Sequence, residues 1–352
     1  MAPPGLSRET LAQALAASIG GVCAPGLHPQ SEPSRVPGQP VFYNLTPSFE
    51  VLDAAGARFA LCVDDLTLQD DLNKQAPARP GWWRVVGDDP RLLRLIARHI
   101  KPQGPLAEAL APAAALFGTD LQPGEGGLWK VVDETGASVA LGAPLPGERE
   151  RPCELITPPI DADHLVALEA RLSLARSLGF FAPVEGATHL HFDAAPLRSA
   201  RAVQNLVRLF VAFGPTLRAR LGVNPRCRRL GPLQPELVSA AESPGFVNLP
   251  WEEARARLLL AKPDKYRDLN LRNLILALPH KHTVELRILP VHLHAGPIVQ
   301  AAALGEALLR RSIVELPVER RPPLRPGPEA DAALSAELEV AERPRRGADA
   351  GG

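Results

Sequence analysis

Three short stretches carry titratable side chains at strand spacing. In THLHFDA, His189, His191 and Asp193 alternate with Leu190 and Phe192. Residues two apart on a strand point to the same face. The apolar pair therefore turns to a core, and two imidazoles and a carboxylate line the other side. In HTVELRILP, Thr283, Glu285 and Arg287 share one face and Val284, Leu286 and Ile288 the other. In PCELITPPI, Glu154 is the only charge of an apolar run, and in TPSFEVLD Glu50 is set the same way between Phe49 and Val51. Each piece alone fits a solvated strand face or a surface ion pair. Each also fits a metal or phosphate site. Imidazole and carboxylate bind hard or borderline metals, and a guanidinium beside a carboxylate can hold phosphate oxygens. Glu50, Glu154 and Glu285 brought to one sheet face would repel and desolvate one another at a cost of several kcal/mol. Divalent ions such as Mg2+, held by oxygens and retained waters, relieve that cost.

Other constellations carry less. HKH at 280–282 and HLH at 292–294 add H-x-H pairs that, with His189 and His191, suit a zinc or iron hydrolase, but no H-E-x-x-H accompanies them. Asp64, Asp65, Asp70 and Asp71 bracket a turn in DDLTLQDD, which reads as solvated or as a Ca2+ or Mg2+ loop. Arg226, Arg228 and Arg229 form a basic loop that is either solvated or a grip for an anionic substrate. There is no G-x-S-x-G, no G-x-x-x-x-G-K-[ST] and no G-x-G-x-x-G after a strand. Any nucleotide must then rest on a sheet face rather than in a glycine cradle.

The elements that position these residues follow from hydrophobic period and punctuation. VFYNLTPSFEVLD and ARFALCVDDL form a hairpin around Asp53–Gly56, and GLWKVVDETGASVAL forms another. PGWWRVVGD reads as a strand. DPRLLRLIARHI reads as a helix with Asp89 as N-cap and Pro90 in its first turn. PLAEALAPAAALFG, DADHLVALEARLSLARSLG, SARAVQNLVRLFVAFGPTLRARLG, WEEARARLLL and HAGPIVQAAALGEALLRRSIVEL read as helices. Hairpins plus long helices without regular β-α-β alternation give an α+β fold: an antiparallel sheet with helices packed on one face. Residues 1–40, rich in Gly, Pro and Ser after a short helix, read as a flexible leader. Residues 319–352, rich in Pro, Arg and Ala, read as a disordered tail. The folded region is then 41–318, with 73–127 as an insertion.

Composition excludes several classes. The 352 residues carry 39 basic and 39 acidic side chains, so no net charge favours nucleic acid or an anionic membrane. A 45% apolar content excludes a wholly disordered chain. The chain opens without a basic-then-apolar leader, and no apolar stretch reaches a membrane span of about 18 residues. Cys23, Cys62, Cys153 and Cys227 form no C-x-x-C, which fits four free thiols in a reducing cytoplasm.

TPSFEVLD, WKVVDETGAS, CELITPP, HLHFDA, KYRDLNL and HTVELR occur in that order over about 41–310. This succession resembles the amidoligase family of the carboxylate–amine ligase group, with a glutamine synthetase- or glutamate–cysteine ligase-like fold. The resemblance implies ATP-dependent amide bond formation through an acyl phosphate. It implies Glu50, Glu154, Glu285 and His191 as Mg2+ ligands, with Mn2+ as a substitute, and Arg287 as the phosphate-binding arginine. Glu154, Glu285, Arg287 and His191 are the expected catalytic set. His189, Lys265, Tyr266 and Asn270 are expected to approach the nucleotide, and Asp133 and Asp193 the substrate. The first strand reads F-E-V-L-D where the family has E-x-E, so a second acid is missing or is Asp53. Implied partners are small-molecule or peptide carboxylates and amines, with a separate ligase or amidotransferase as a protein partner. The competing readings are a metal-dependent hydrolase built on the H-x-H strands and a non-catalytic binding module derived from the ligase fold.

Overall fold

The computed structural model describes residues 1–36, 39–227 and 230–342, with side chains omitted at 32–36 and 39–41. The chain folds as two compact units, Met1–Val184 and Glu185–Gly352. Each has its own antiparallel sheet, where the sequence pattern predicts one.

The first unit runs α1 (Arg8–Ser18), β1 (Val22–Val36), β2 (Gln39–Leu52), β3 (Arg58–Val63), β4 (Trp83–Gly87), α2 (Pro90–His99), α3 (Leu106–Leu116), β5 (Gln122–Pro123), β6 (Trp129–Val132), β7 (Ser138–Pro144), β8 (Glu154–Ile156) and α4 (His164–Ser177). Strand β2 organises its eight-stranded sheet. One edge of β2 pairs with β1 along its length, Val22 opposite Leu52 and Pro33 opposite Val41. The other edge splits. Tyr43, Asn44 and Leu45 pair with β4, and Phe49 to Leu52 pair with β3. Pro47, which has no N–H to give a ladder, falls between the two segments. One limb continues β4-β7-β6-β5 and the other β3-β8.

One face of this sheet is apolar. Leu11, Ala12, Leu15 and Ala16 of α1 pack on Phe49, Val51, Ala60 and Cys62. Leu93 and Ile96 of α2 and Leu110 and Ala113 of α3 pack on Leu45, Val85, Val131 and Ala140. Both hairpins turn on one device. Asp53 Oδ1 accepts from the amides of Ala55 and Ala57, and Asp133 Oδ1 from those of Thr135 and Ala137.

The segment expected to be a flexible leader is structured. Helix α1 starts in a capping box between Ser7 and Thr10. Arg8 is fully buried: Nε donates to the Pro47 carbonyl (3.0 Å), and Nη1 donates to the Arg149 (2.6 Å) and Pro152 (3.2 Å) carbonyls. Its guanidinium also lies 4.5 Å from the centre of the Trp82 ring. Strand β1 absorbs Pro25, Pro29 and Pro33 because all three have the same parity, so their missing donors face one edge, and β1 pairs only with β2.

The second unit runs β9 (Ala187–Asp193), α5 (Ala200–Leu221), α6 (Pro235–Ala241), α7 (Trp251–Leu259), β10 (Leu269–Asn270), α8 (Arg272–Ile275), β11 (Thr283–Pro290), α9 (Ala295–Ile313) and α10 (Pro328–Glu342). Its sheet has the order β10-β11-β9. Leu269, Val284, Leu286 and Ile288 face a core built on Val203, Leu206, Phe210 and Phe213 of α5 and Leu308 of α9. Gly305 lets α9 come this close: a Cβ there would lie 2.6 Å from the Phe192 ring. The expected disordered tail holds α10, with Ala330 and Leu334 buried and Glu337 paired to the buried Arg311 of α9 at 2.8 Å. Residues 343–352 of that tail lie outside the described residues. No helix among the described residues is long and apolar enough to cross a membrane.

Removing a buried cation that satisfies three carbonyls and sits near a buried acid is costly. Arg8→Met is expected to destabilise the first unit by about 3–5 kcal/mol. Urea denaturation followed by circular dichroism checks it; an unchanged first transition contradicts the anchoring role.

Candidate active site

Glu285 sits at the centre of the polar face of the second sheet. Register puts it opposite Asn270 of β10 on one side and His191 of β9 on the other. Thr283 is opposite Asp193. Between Leu286 and Leu289 the register shifts, so Arg287 and Ile288 together oppose the single residue His189. Such a bulge re-aims a side chain without breaking the strand. Arg287 stays on the polar face and Ile288 enters the core.

The geometry is that of a carboxylate ringed by donors. Arg287 Nη1 donates to Glu285 Oε1 (2.6 Å), and Asn270 Nδ2 donates to Oε2 (2.6 Å). His189 Nδ1 is 3.2 Å and His191 Nε2 3.7 Å from Oε1. Asn270 Oδ1 accepts from the Arg272 amide, which fixes its amide orientation. Glu285 and Arg287 are 5% and 8% exposed. Burial pushes the Glu285 carboxyl up, but Arg287, His189, His191 and the Asn270 hydrogen bond outweigh it and bring its pKa to about 2. Burial lowers the His191 pKa below 6.5 against the opposing pull of Glu285, so its ring is neutral at pH 7. Its Nδ1 lies 3.1 Å from Thr283 Oγ1, which also accepts from Asn273 Nδ2. Arg287 Nε is buried with no hydrogen-bond partner among the described residues.

The segment leading into β10 is clamped from behind. Arg218 of α5 donates twice to the Asp268 carboxylate, both at 2.6 Å. The Asp268 carbonyl accepts from the Arg287 amide at 2.9 Å. Within the same segment the Lys265 ammonium lies 5.4 Å from the centre of the Tyr266 ring, in cation–π range. Asp193 closes β9, its Oδ1 accepting from the Ala195 amide.

Glu50 and Glu154 belong to the first unit. Glu50 is opposite Leu61, and Glu154 opposite Val63. Both therefore point to the face that α1 does not cover. Strand β3 runs between them, which sets them apart by two strand spacings of about 4.8 Å each. Glu50 is ion-paired with Arg58. The three glutamates thus do not share one sheet face, as the alternation pattern suggests they would: Glu285 is on a different sheet. Asp133 caps its hairpin with Oδ1, and its carboxyl is held below the usual range by the Thr135 hydroxyl and the turn amides. Asp64 is neither a solvated turn acid nor a calcium ligand; it is fully buried and paired with Arg149. Arg228 and Arg229 of the basic loop lie outside the described residues.

The donor types around Glu285 suit a divalent ion, but both carboxylate oxygens are engaged by Arg287 and Asn270. No group of three His, Cys, Asp or Glu side chains among the described residues is placed to hold a metal ion. The unpartnered Nε of Arg287 is itself enclosed by protein. Three contributors are absent from the expected set. Asn273 and the Arg218–Asp268 clamp carry no pattern of their own. The row Asn44, Thr46 and Ser48, buried beside Glu50 on β2, is visible as polar alternation in NLTPSFE.

Comparison with known proteins adds one result. The family model described as "Putative amidoligase enzyme" matches residues 1–309. No curated protein and no solved structure matches the chain.

Glu285 has a folded-state pKa of about 2, below its usual 4.5, so it contributes stability above pH 4.5 that is lost as pH falls toward 2. Arg287→Met is expected to move that loss to higher pH. Carboxyl 13C NMR titration of Glu285 checks it, and an unmoved midpoint contradicts the pairing.

Proposed function

From membership of the amidoligase family, shown by the match over residues 1–309, we propose that the protein is an ATP-dependent carboxylate–amine ligase. The observation that carries this reading is the buried Glu285–Arg287 pair, flanked by the His189 and His191 imidazoles and the Asn270 amide.

The reaction proceeds in two displacements. A substrate carboxylate oxygen attacks the γ-phosphorus of ATP, ADP leaves, and an acyl phosphate forms. The amine then attacks the acyl carbon, phosphate leaves with the bonding pair, and one amine proton is lost. Arg287 neutralises the oxygens of the transferring phosphoryl group. Glu285 holds Arg287 in place. Neutral His191, oriented by Thr283, accepts the amine proton through Nε2. Lys265, Tyr266, Asn270 and His189 approach the nucleotide. Asp133 and Asp193 each spend Oδ1 on a turn, so a substrate contact falls to Oδ2. Mg2+, or Mn2+ in its place, arrives with ATP, and no step is assigned to it. The antiparallel sheets flanked by helices support a glutamine synthetase-like fold, and four thiols without a disulfide among the described residues agree with a cytoplasmic setting.

ADP release over a matrix of carboxylates and amines tests the proposal. Glu285→Gln and Arg287→Ala are expected to lower turnover by about 10²–10³-fold, the size of losing one aligned transition-state donor, with unchanged far-UV circular dichroism. Full turnover in both variants refutes the assignment. Thermal shift separates the competing readings: a ligase is stabilised by Mg2+ and ATP together, a metal hydrolase by Zn2+ or Mn2+ alone, and a binding module by neither.

A further inference from the structure

A cleft of about 240 Å³ opens in the second unit at the end of the strand pair that carries Glu285. His282 on its wall immediately precedes Thr283, the first residue of β11, and the His282 carbonyl accepts from the Ala194 amide just past β9. Arg198 follows the single helical turn after β9 and lines the opposite side. Three residue steps separate His282 from Glu285, about 10 Å along a strand.

The lining is chemically divided. Trp251 at the start of α7, Leu274 of α8, and Leu278 and Pro279 beyond it form an apolar wall. The polar members are Arg198, Glu252 and His282. Arg198 is exposed, and neither its guanidinium nor the His282 ring makes a hydrogen bond or ion pair among the described residues. Glu252, the one acid in the lining, is paired with Arg255, 2.8 Å away, in an exposed contact. The turn that shapes the apolar wall is strained. Ala277 ends α8 with φ of 51°, where the amides of Ala277 and Leu278 bond back to the Leu274 and Asn273 carbonyls. Glycine adopts that conformation at less cost, but a methyl group there adds to the apolar lining.

A guanidinium that shares a cleft with aromatic and aliphatic side chains suits a small carboxylate with an apolar body. We propose that this cleft binds an α-amino acid with an apolar side chain. Its carboxylate lies on Arg198, its side chain lies against Trp251, Leu278 and Pro279, and its amine remains free. That such an amino acid is the amine substrate rests on the ligase reading; that it binds does not.

Isothermal titration of the full chain without nucleotide tests the cleft, using L-leucine, L-valine, L-methionine and L-phenylalanine. Saturable binding of at least one is expected, at least tenfold weaker for the corresponding amide, which lacks the carboxylate. Arg198→Ala is expected to weaken the acid at least tenfold and leave the amide unchanged, and Leu278→Asp to weaken both. Glu285→Gln is expected to bind the amino acid as the wild type does. The proposal is overturned if none of the four binds, if acid and amide bind alike, or if Arg198→Ala binds the acid unchanged. Amino acid binding without any ATP turnover leaves the cleft standing and the ligase reading defeated. Turnover that depends on Glu285, with no amino acid bound, does the reverse.

Discussion

A carboxylate buried beside a guanidinium sets the chemistry of the second unit. Glu285 would be neutral in an apolar strand pair, because desolvation favours the protonated form. Arg287, two residues along the same strand, reverses this, and Asn270 takes the other oxygen. The result is a charge pair in which the anion is fully engaged and the cation is not, since Arg287 Nε has no partner among the described residues. Breaking such a pair is expensive, while its net contribution to stability is small. Under the proposed ligase reading, its value is a fixed cation for the phosphoryl oxygens.

Everything around the pair serves that orientation. The register of β9, β11 and β10 places His191, Glu285 and Asn270 in one row. The bulge at Arg287 and Ile288 lets the chain send one residue to the face and the next into the core. Behind the face, Phe192 fits against Gly305 of α9, and the Arg218–Asp268 clamp holds the strand that hydrogen-bonds to the Arg287 backbone. The apolar core therefore sets the polar geometry, because rotamers on the open side are only as fixed as the strands beneath them.

In the first unit the equivalent organiser is β2. It carries three strand neighbours because Pro47 interrupts one edge. The buried Arg8 ties α1 to the Pro47 carbonyl and to the chain before β8, so the N-terminal helix reaches the two strands that carry Glu50 and Glu154.

Between about 41 and 318 the sequence by itself determined most element types and the alternation on β11. Period-two alternation is a local property, and it correctly separated Glu285 and Arg287 from Leu286 and Ile288, and Asp53 and Asp133 announced their hairpins through turn chemistry. Local composition misled where the deciding partner was distant. The prolines of β1 looked like a flexible leader because their tolerance depends on lying at one edge of a sheet. Residues 328–342 looked disordered because the buried Arg311 that holds Glu337 is 26 positions away from it. That Glu285 lies on a different sheet from Glu50 and Glu154, and that Asn273 and Asp268 support it, was decided only by tertiary structure. Strand pairing and helix packing join residues far apart in the chain, and no spacing rule encodes which strands choose each other.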